Sequence, residues 1–192
     1  MLDGRYATTM NRVWDFLGRA LARTGMSPNA VTLTGLVLVA GAAAAYLHHR
    51  NDLAFGVSLA VAFGFDGLDG AVARVTGRAT RFGGYLDAVV DRYQEMIALA
   101  AIAWVHDLWP AAFLCLSGSF LTSYNKARVA LEMPVGNAEW PDLIERFERV
   151  VILIAILAFG VVGAGLLVLG ALAHASAVQR FWRARRRLLD SG

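Results

Sequence analysis

The sequence predicts an all-α integral membrane protein, with six transmembrane helices preceded by an amphipathic helix on the membrane surface. Three observations carry this. Hydrophobic residues make up 57% of the 192-residue chain and charged residues 17%, against about 25% charged in an average soluble domain. Six apolar stretches, near 30–48, 53–75, 84–106, 108–130, 146–163 and 164–182, approach the ~20 residues that cross a bilayer as a helix. With the N-terminus placed in the cytoplasm, 17 of the 18 basic residues fall on one side and only Arg50 on the other. That asymmetry places both termini in the cytoplasm of a multi-pass protein of the cell membrane. It also accounts for the basic C-terminal run from Arg180 to Arg187, so nucleic acid is not an expected partner.

Residues 5–24 form the surface helix. Val13, Phe16, Leu17, Ala20 and Leu21 share one stripe, while Arg12, Asp15, Arg19 and Arg23 lie off it. Gly25, Ser27 and Pro28 end this helix and start the first span. The six-helix bundle runs over 28–185, so the chain reads as a single membrane domain over 1–192. The second span enters from the far side and reaches Asp66 after about 13 residues, roughly 20 Å at the helical rise. Asp66 and Asp69 therefore sit in the cytoplasmic third of the bilayer. The third span starts near Phe82-Gly83-Gly84, which puts Asp87 and Asp91 in its first two turns. A polar loop covers 130–145, and an uncharged Val161–Leu166 link joins the last two spans. The single Cys115 lies in an apolar run, reads as a packed small residue and excludes a disulfide framework.

The four aspartates are the chemically informative residues. Ionised carboxylates at membrane depth are expensive and need a cation or partner. Counted from Asp66, the residues Asp69, Gly70 and Ala73 fall at +3, +4 and +7 on one helical stripe, and Asp91 follows Asp87 by four. Two helices that each present two carboxylates can build a metal site between them. Mg²⁺ and Mn²⁺ prefer carboxylate oxygens and share their coordination with substrate phosphates. Three or four carboxylates at the cytosolic boundary suit a two-metal site on a diphosphate. Arg74, Arg78 and Arg81 can neutralise phosphate charge, and a carboxylate not used by metal can accept a proton from an attacking hydroxyl. A single aspartate at a helix start is as readily a cap, and Asp87 fits that role too. Four at this spacing, with glycines and an arginine in register, point to a site.

The pattern resembles the signature of the CDP-alcohol phosphotransferase family of membrane enzymes, D-x-x-D-G-x-x-A-R followed by G-x-x-x-D-x-x-x-D. Asp66, Asp69, Gly70, Ala73, Arg74, Gly83, Asp87 and Asp91 match all of its fixed positions. The resemblance implies that Asp66, Asp69 and Asp87 hold one divalent ion, Mg²⁺ or Mn²⁺. It implies that Asp66, Asp87 and Asp91 serve a second ion, with Asp91 as catalytic base. Gly70 and Arg74 would contact the CDP part of a CDP-lipid, and Asn29, Ala30, Val31, Thr32 and Thr80 would close over the nucleotide. The reaction implied is attack of an acceptor hydroxyl on the lipid phosphorus of CDP-diacylglycerol, with release of CMP. A homodimer with a cytoplasmic-facing site is implied as well.

The acceptor rests on other segments. Ser123-Tyr124-Asn125-Lys126-Ala127-Arg128 and Ile144-Glu145-Arg146-Phe147-Glu148-Arg149 are similar to segments of the phosphatidylinositol-phosphate synthases in that family. Lys126, Arg146 and Arg180, with Ser123 nearby, would then receive the phosphate of inositol phosphate. A phosphorylated acceptor needs several cations where a neutral alcohol does not. Glycerol phosphate, serine or another alcohol stays open as acceptor. From a different class, a divalent-cation transporter with an aspartate ring stays open too. It predicts a polar path to the far side, where the last three spans carry few polar residues.

Overall fold

The computed structural model describes residues 4–133 and 143–190, with side chains described over 13–133 and 143–189. The expected polar loop falls largely outside the described residues, as do the side chains of Arg5 and Arg12. The described chain is helical: α1 (Gly4–Ala22), α2 (Pro28–His49), α3 (Asp52–Asp66), α4 (Leu68–Thr76), α5 (Arg81–His106), α6 (Trp109–Val129), α7 (Arg146–Phe159) and α8 (Val162–Asp190). Among the described residues, three stretches are long and apolar enough to cross a membrane: Pro28–His49, Asp52–Thr76 and Val162–Leu189. This is an α-helical membrane protein. The α7 helix has 14 residues, about 21 Å at the helical rise, which is short of a ~30 Å hydrocarbon core.

The helix starts follow from local chemistry. Ser27 Oγ accepts the Ala30 N–H at 3.2 Å, with Pro28 at the first helical position, where its missing N–H costs nothing. Thr80 Oγ1 accepts the Gly83 N–H at 2.9 Å and caps α5. Glu145 and Glu148 form a capping box at the start of α7. The α4 helix stops at Gly77, whose φ of 65° is a left-handed cap that glycine adopts without steric cost. The sequence predicts one continuous helix over 53–75, whereas the structure interrupts it at Gly67, between α3 and α4. The Asp69 carboxylate just beyond takes the N–H of Gly70, and α4 starts after Gly67 with no side-chain cap.

The chain divides into two compact units. The first takes residues 1–42 and 58–95, and the second takes 43–57 and 96–192. In the first unit α1 packs on α4 through small residues. A Cβ at Gly18 would lie 2.9 Å from Ala71, and Trp14 lies against Gly67. The apolar stripe of α1 is not part of that contact: Val13 is 55% and Phe16 65% exposed, and Leu17 and Ala20 are exposed as well. Buried Val31, Val39, Leu59, Ala62, Ala71, Val72 and Val90 form the core of this unit.

In the second unit α6 and α8 approach closely and are joined by polar bonds. Cys115 Sγ donates to Leu166 O at 3.0 Å, Thr122 Oγ1 to Ala173 O at 3.2 Å, and Asn125 Nδ2 to Ala177 O at 3.0 Å. Small residues with hydrogen bonds across are how helices associate where lipid removes the hydrophobic drive. A Cβ at Gly118 would meet the Ala173 Cβ at 2.8 Å and the His174 backbone N at 2.9 Å. Gly118→Val should therefore cost about 1–3 kcal/mol by overpacking, because backbone cannot rotate away. The check is thermal unfolding in detergent, and a melting temperature equal to wild type would contradict it.

Candidate metal centre

The carboxylates meet where α3, α4 and α5 come together in the first unit. Asp66 is the last residue of α3, Asp69 lies in the first turn of α4, and Asp87 lies in the second turn of α5. One oxygen from each falls within 4.8 Å of the other two. Asp66 is 1% exposed, and the others are half-buried. Gln94 Nε2 donates to Asp66 Oδ1 at 2.9 Å, and Thr32 Oγ1 donates to Asp69 Oδ2 at 2.6 Å.

These magnitudes decide what the cluster is for. At an effective dielectric of ~20, two unit charges this far apart repel by about 3 kcal/mol, so three ionised carboxylates cost on the order of 10 kcal/mol. A hydrogen bond to a charged group returns about 1.5–3 kcal/mol, and Gln94, Thr32 and the Gly70 N–H each donate one to this cluster. A divalent cation among the three oxygens would offset the mutual repulsion directly. The donor set is all oxygen, which fits Mg²⁺ or Mn²⁺ rather than a thiolate- or imidazole-seeking metal.

Asp91 stands outside this cluster, one turn further along α5. Its Oδ2 lies 3.9 Å from Arg92 Nη2, and Arg92 also holds Glu95 at 2.8 Å. Gly70 is half-buried beside Asp69. Arg74 lies 3.6 Å from Asp15 of α1, with both side chains substantially exposed. Such a pair is worth little in solvent and holds the guanidinium only weakly. Asn29, Thr80 and Gly83 gather at the start of α5, where a Cβ on Gly83 would lie 3.2 Å from Asn29 Oδ1 and 3.1 Å from Thr80 Oγ1. Across the start of α2, the Ala30 N–H goes to Ser27, Val31 is fully buried, and Thr32 turns to Asp69.

The residues expected for an acceptor phosphate lie in the second unit. Ser123 and Lys126 are half-buried on α6, one turn apart. Arg180 of α8 is 8% exposed and donates through Nη1 to Thr122 O at 2.6 Å. Arg146 opens α7, and the segment before it is tied to α8: Ser176 Oγ accepts the Ile144 N–H at 3.1 Å, and Gln179 Oε1 accepts the Leu143 N–H at 2.8 Å.

Sequence reasoning missed Gln94 and Asp15. Gln94 follows Asp87 by seven and Asp91 by three, so it continues the carboxylate stripe of α5. A polar residue at that position in an apolar helix was its signal. Asp15 carried none beyond its place off the apolar stripe.

The same region is matched by known proteins. A family model described as CDP-alcohol phosphatidyltransferase matches residues 25–179. The chain belongs to this family. One relative is the archaetidylinositol phosphate synthase of Pyrococcus horikoshii, 33% identical over 173 residues, which are 90% of each chain. Among solved structures, the phosphatidylinositol phosphate synthase of Mycobacterium tuberculosis with CDP-DAG bound superposes with a TM-score of 0.78 at 28% identity, over 90% of this chain and 94% of that one. The same enzyme in complex with manganese and citrate gives a TM-score of 0.77 at 28% identity, over 89% and 88%. This family member is thus an enzyme of the phosphatidyltransferase type, and a divalent-metal centre fits its three clustered carboxylates.

Proposed function

We propose that this family member transfers the phosphatidyl-type group of a CDP-lipid, CDP-diacylglycerol or its ether-lipid counterpart, to inositol phosphate and releases CMP. The observation that carries the chemistry is the trio of carboxylates within 4.8 Å beside Asp91. The acceptor rests on the relatives, which match nearly the whole chain and are named as archaetidylinositol phosphate and phosphatidylinositol phosphate synthases.

In this reading Asp66, Asp69 and Asp87 hold one Mg²⁺ or Mn²⁺, and Asp91 joins Asp66 and Asp87 around a second. Bound there, such ions supply charge stabilisation for the diphosphate and for the leaving oxygen. Gly70 leaves room for the nucleotide, and Arg74 exchanges its weak pairing with Asp15 for phosphate oxygens. Asn29, Ala30, Val31, Thr32 and Thr80 line the nucleotide side. Asp91 takes the proton of the acceptor hydroxyl. The freed oxygen bonds to the lipid phosphorus, the bond from that phosphorus to the bridging oxygen breaks, and CMP leaves with the electron pair. Ser123, Lys126, Arg146 and Arg180 receive the phosphate already carried by the acceptor. The reading also includes a single six-span domain with both termini and the site on the cytoplasmic side, and a homodimer.

The test is CMP release from purified protein with either CDP-lipid and Mg²⁺ or Mn²⁺, with acceptors added one at a time. Release is expected with inositol phosphate and not with inositol, serine or glycerol phosphate. Release with another acceptor alone would overturn the acceptor, and no release with any would overturn the enzyme reading. In the same assay Lys126→Ala should raise the acceptor KM at least tenfold and leave the CDP-lipid KM within about twofold, since one charge-assisted contact is worth ~1.5–3 kcal/mol.

A further inference from the structure

We infer that Gln94 is a positioning residue for the metal centre: it fixes the Asp66 carboxylate while leaving its negative charge intact, and Gly35 is the space that permits it. This rests on reading Asp66, Asp69 and Asp87 as the ion-holding carboxylates.

Gln94 is 0% exposed, an uncommon place for a long polar side chain. A buried amide is retained where its hydrogen bonds are met, and Nε2 meets Asp66 Oδ1 at 2.9 Å. That bond commits Oδ1 to the protein and fixes the rotation of the carboxylate about its own axis. The chemical type of the donor matters as much as its position. A lysine or arginine here would hold the carboxylate equally well but cancel its charge and repel a divalent ion. The amide is neutral, so the site keeps its full attraction for the cation. The nearby cation Arg92 is directed instead to Glu95 at 2.8 Å and Asp91 at 3.9 Å.

The backbone of α2 is shaped to this pair. A Cβ at Gly35 would lie 2.7 Å from Asp66 Oδ1, 3.0 Å from Asp66 Cβ and 3.2 Å from Gln94 Nε2. Any side chain at position 35 therefore displaces both members. Three residues earlier on the same helix, Thr32 Oγ1 holds Asp69 Oδ2 at 2.6 Å. One face of α2 thus supports two of the three carboxylates, by a hydroxyl for one and by absence of a side chain for the other. Partners of this kind orient metal ligands, and losing one lowers metal affinity by about 10–100-fold.

The experiment is Mn²⁺ titration of purified full-length protein, following free Mn²⁺ by electron paramagnetic resonance, with no lipid and no acceptor present. Gln94→Leu, which keeps the bulk and removes the donor, should raise the Mn²⁺ Kd about 10–100-fold in protein that elutes as folded material. Gly35→Ala should raise it in the same direction. In turnover, the Mn²⁺ KM should rise while the CDP-lipid KM at saturating Mn²⁺ stays near wild type, a split that mere loss of stability does not produce. If Gln94→Leu yields no folded protein, Gln94→Asn is held to the same criterion. A Kd change of threefold or less overturns the inference, and a larger one upholds it. Asp66→Asn serves as the reference. If it loses Mn²⁺ binding while the Gln94 variant does not, only the role of Gln94 fails. If it too binds normally, the metal centre itself is wrongly assigned.

Discussion

Asp91→Asn should keep CDP-lipid and the Mn²⁺ of the Asp66, Asp69 and Asp87 cluster and lose turnover by about 10²–10⁴-fold, the usual contribution of a positioned general base. The substitution keeps size but removes the negative charge along with the ability to take a proton, so a second ion held by Asp91 is weakened too. Asp91 suits this test because it lies outside the three-carboxylate cluster, beside Arg92 at 3.9 Å. The measurement is single-turnover CMP formation alongside Mn²⁺ and CDP-lipid titrations. Turnover within about threefold of wild type would remove Asp91 as base. Loss of one Mn²⁺ equivalent together with turnover would assign Asp91 to a second ion as well as to proton transfer.

Asp66→Asn should have the opposite signature, losing metal first and activity as a consequence. Asp66 is the most buried of the three, at 1% exposed. Its charge is the least screened by solvent, so it contributes both the strongest repulsion in the empty cluster and the strongest pull on a cation. Saturating metal at about 100 times Kd stabilises a folded protein by ~2.7 kcal/mol. In a chain of this size that corresponds to an upward shift of about 5–10 °C in melting temperature. The wild-type protein should show this shift on adding Mn²⁺, and Asp66→Asn should not. Without metal the variant should melt at or above the wild-type temperature, because one of three mutually repelling charges is gone. A variant that melts well below wild type without metal would mean that Asp66 is structural.

The carboxylate trio was legible because helical periodicity fixes which residues share a stripe. Asp66 and Asp69 lie three apart, and Asp87 follows a glycine-rich helix start. Ser27-Pro28 marked the start of α2 for the same local reason. What periodicity cannot give is which face a neighbour takes. The α1 stripe of Val13, Phe16 and Leu17 read as a membrane-facing surface and is exposed, but which residues of α1 would meet protein was not readable, and α4 is met by Trp14 and Gly18. In a membrane chain an apolar stripe need not face protein, and close contact follows small residues instead. The break at Gly67 was illegible too, since Gly64, Gly67 and Gly70 are three comparable weak points in one apolar run and nothing in the sequence singles out the middle one. Gln94 and Gly35 gain meaning only when α2, α3 and α5 come together, because each is ordinary within its own helix. Arg180 read as an acceptor ligand through the family resemblance, and the structure adds that one arm of its guanidinium holds the Thr122 carbonyl.

In the proposed reaction a phosphorylated inositol is joined to the lipid of the CDP donor. The most direct measurement is the mass of the lipid product formed from CDP-diacylglycerol and inositol phosphate with Mn²⁺. A product that keeps the acceptor's phosphomonoester beside the new phosphodiester, formed in equal amount with CMP, is the predicted result. A lipid lacking that phosphomonoester, or CMP formed without any inositol-containing lipid, would contradict it.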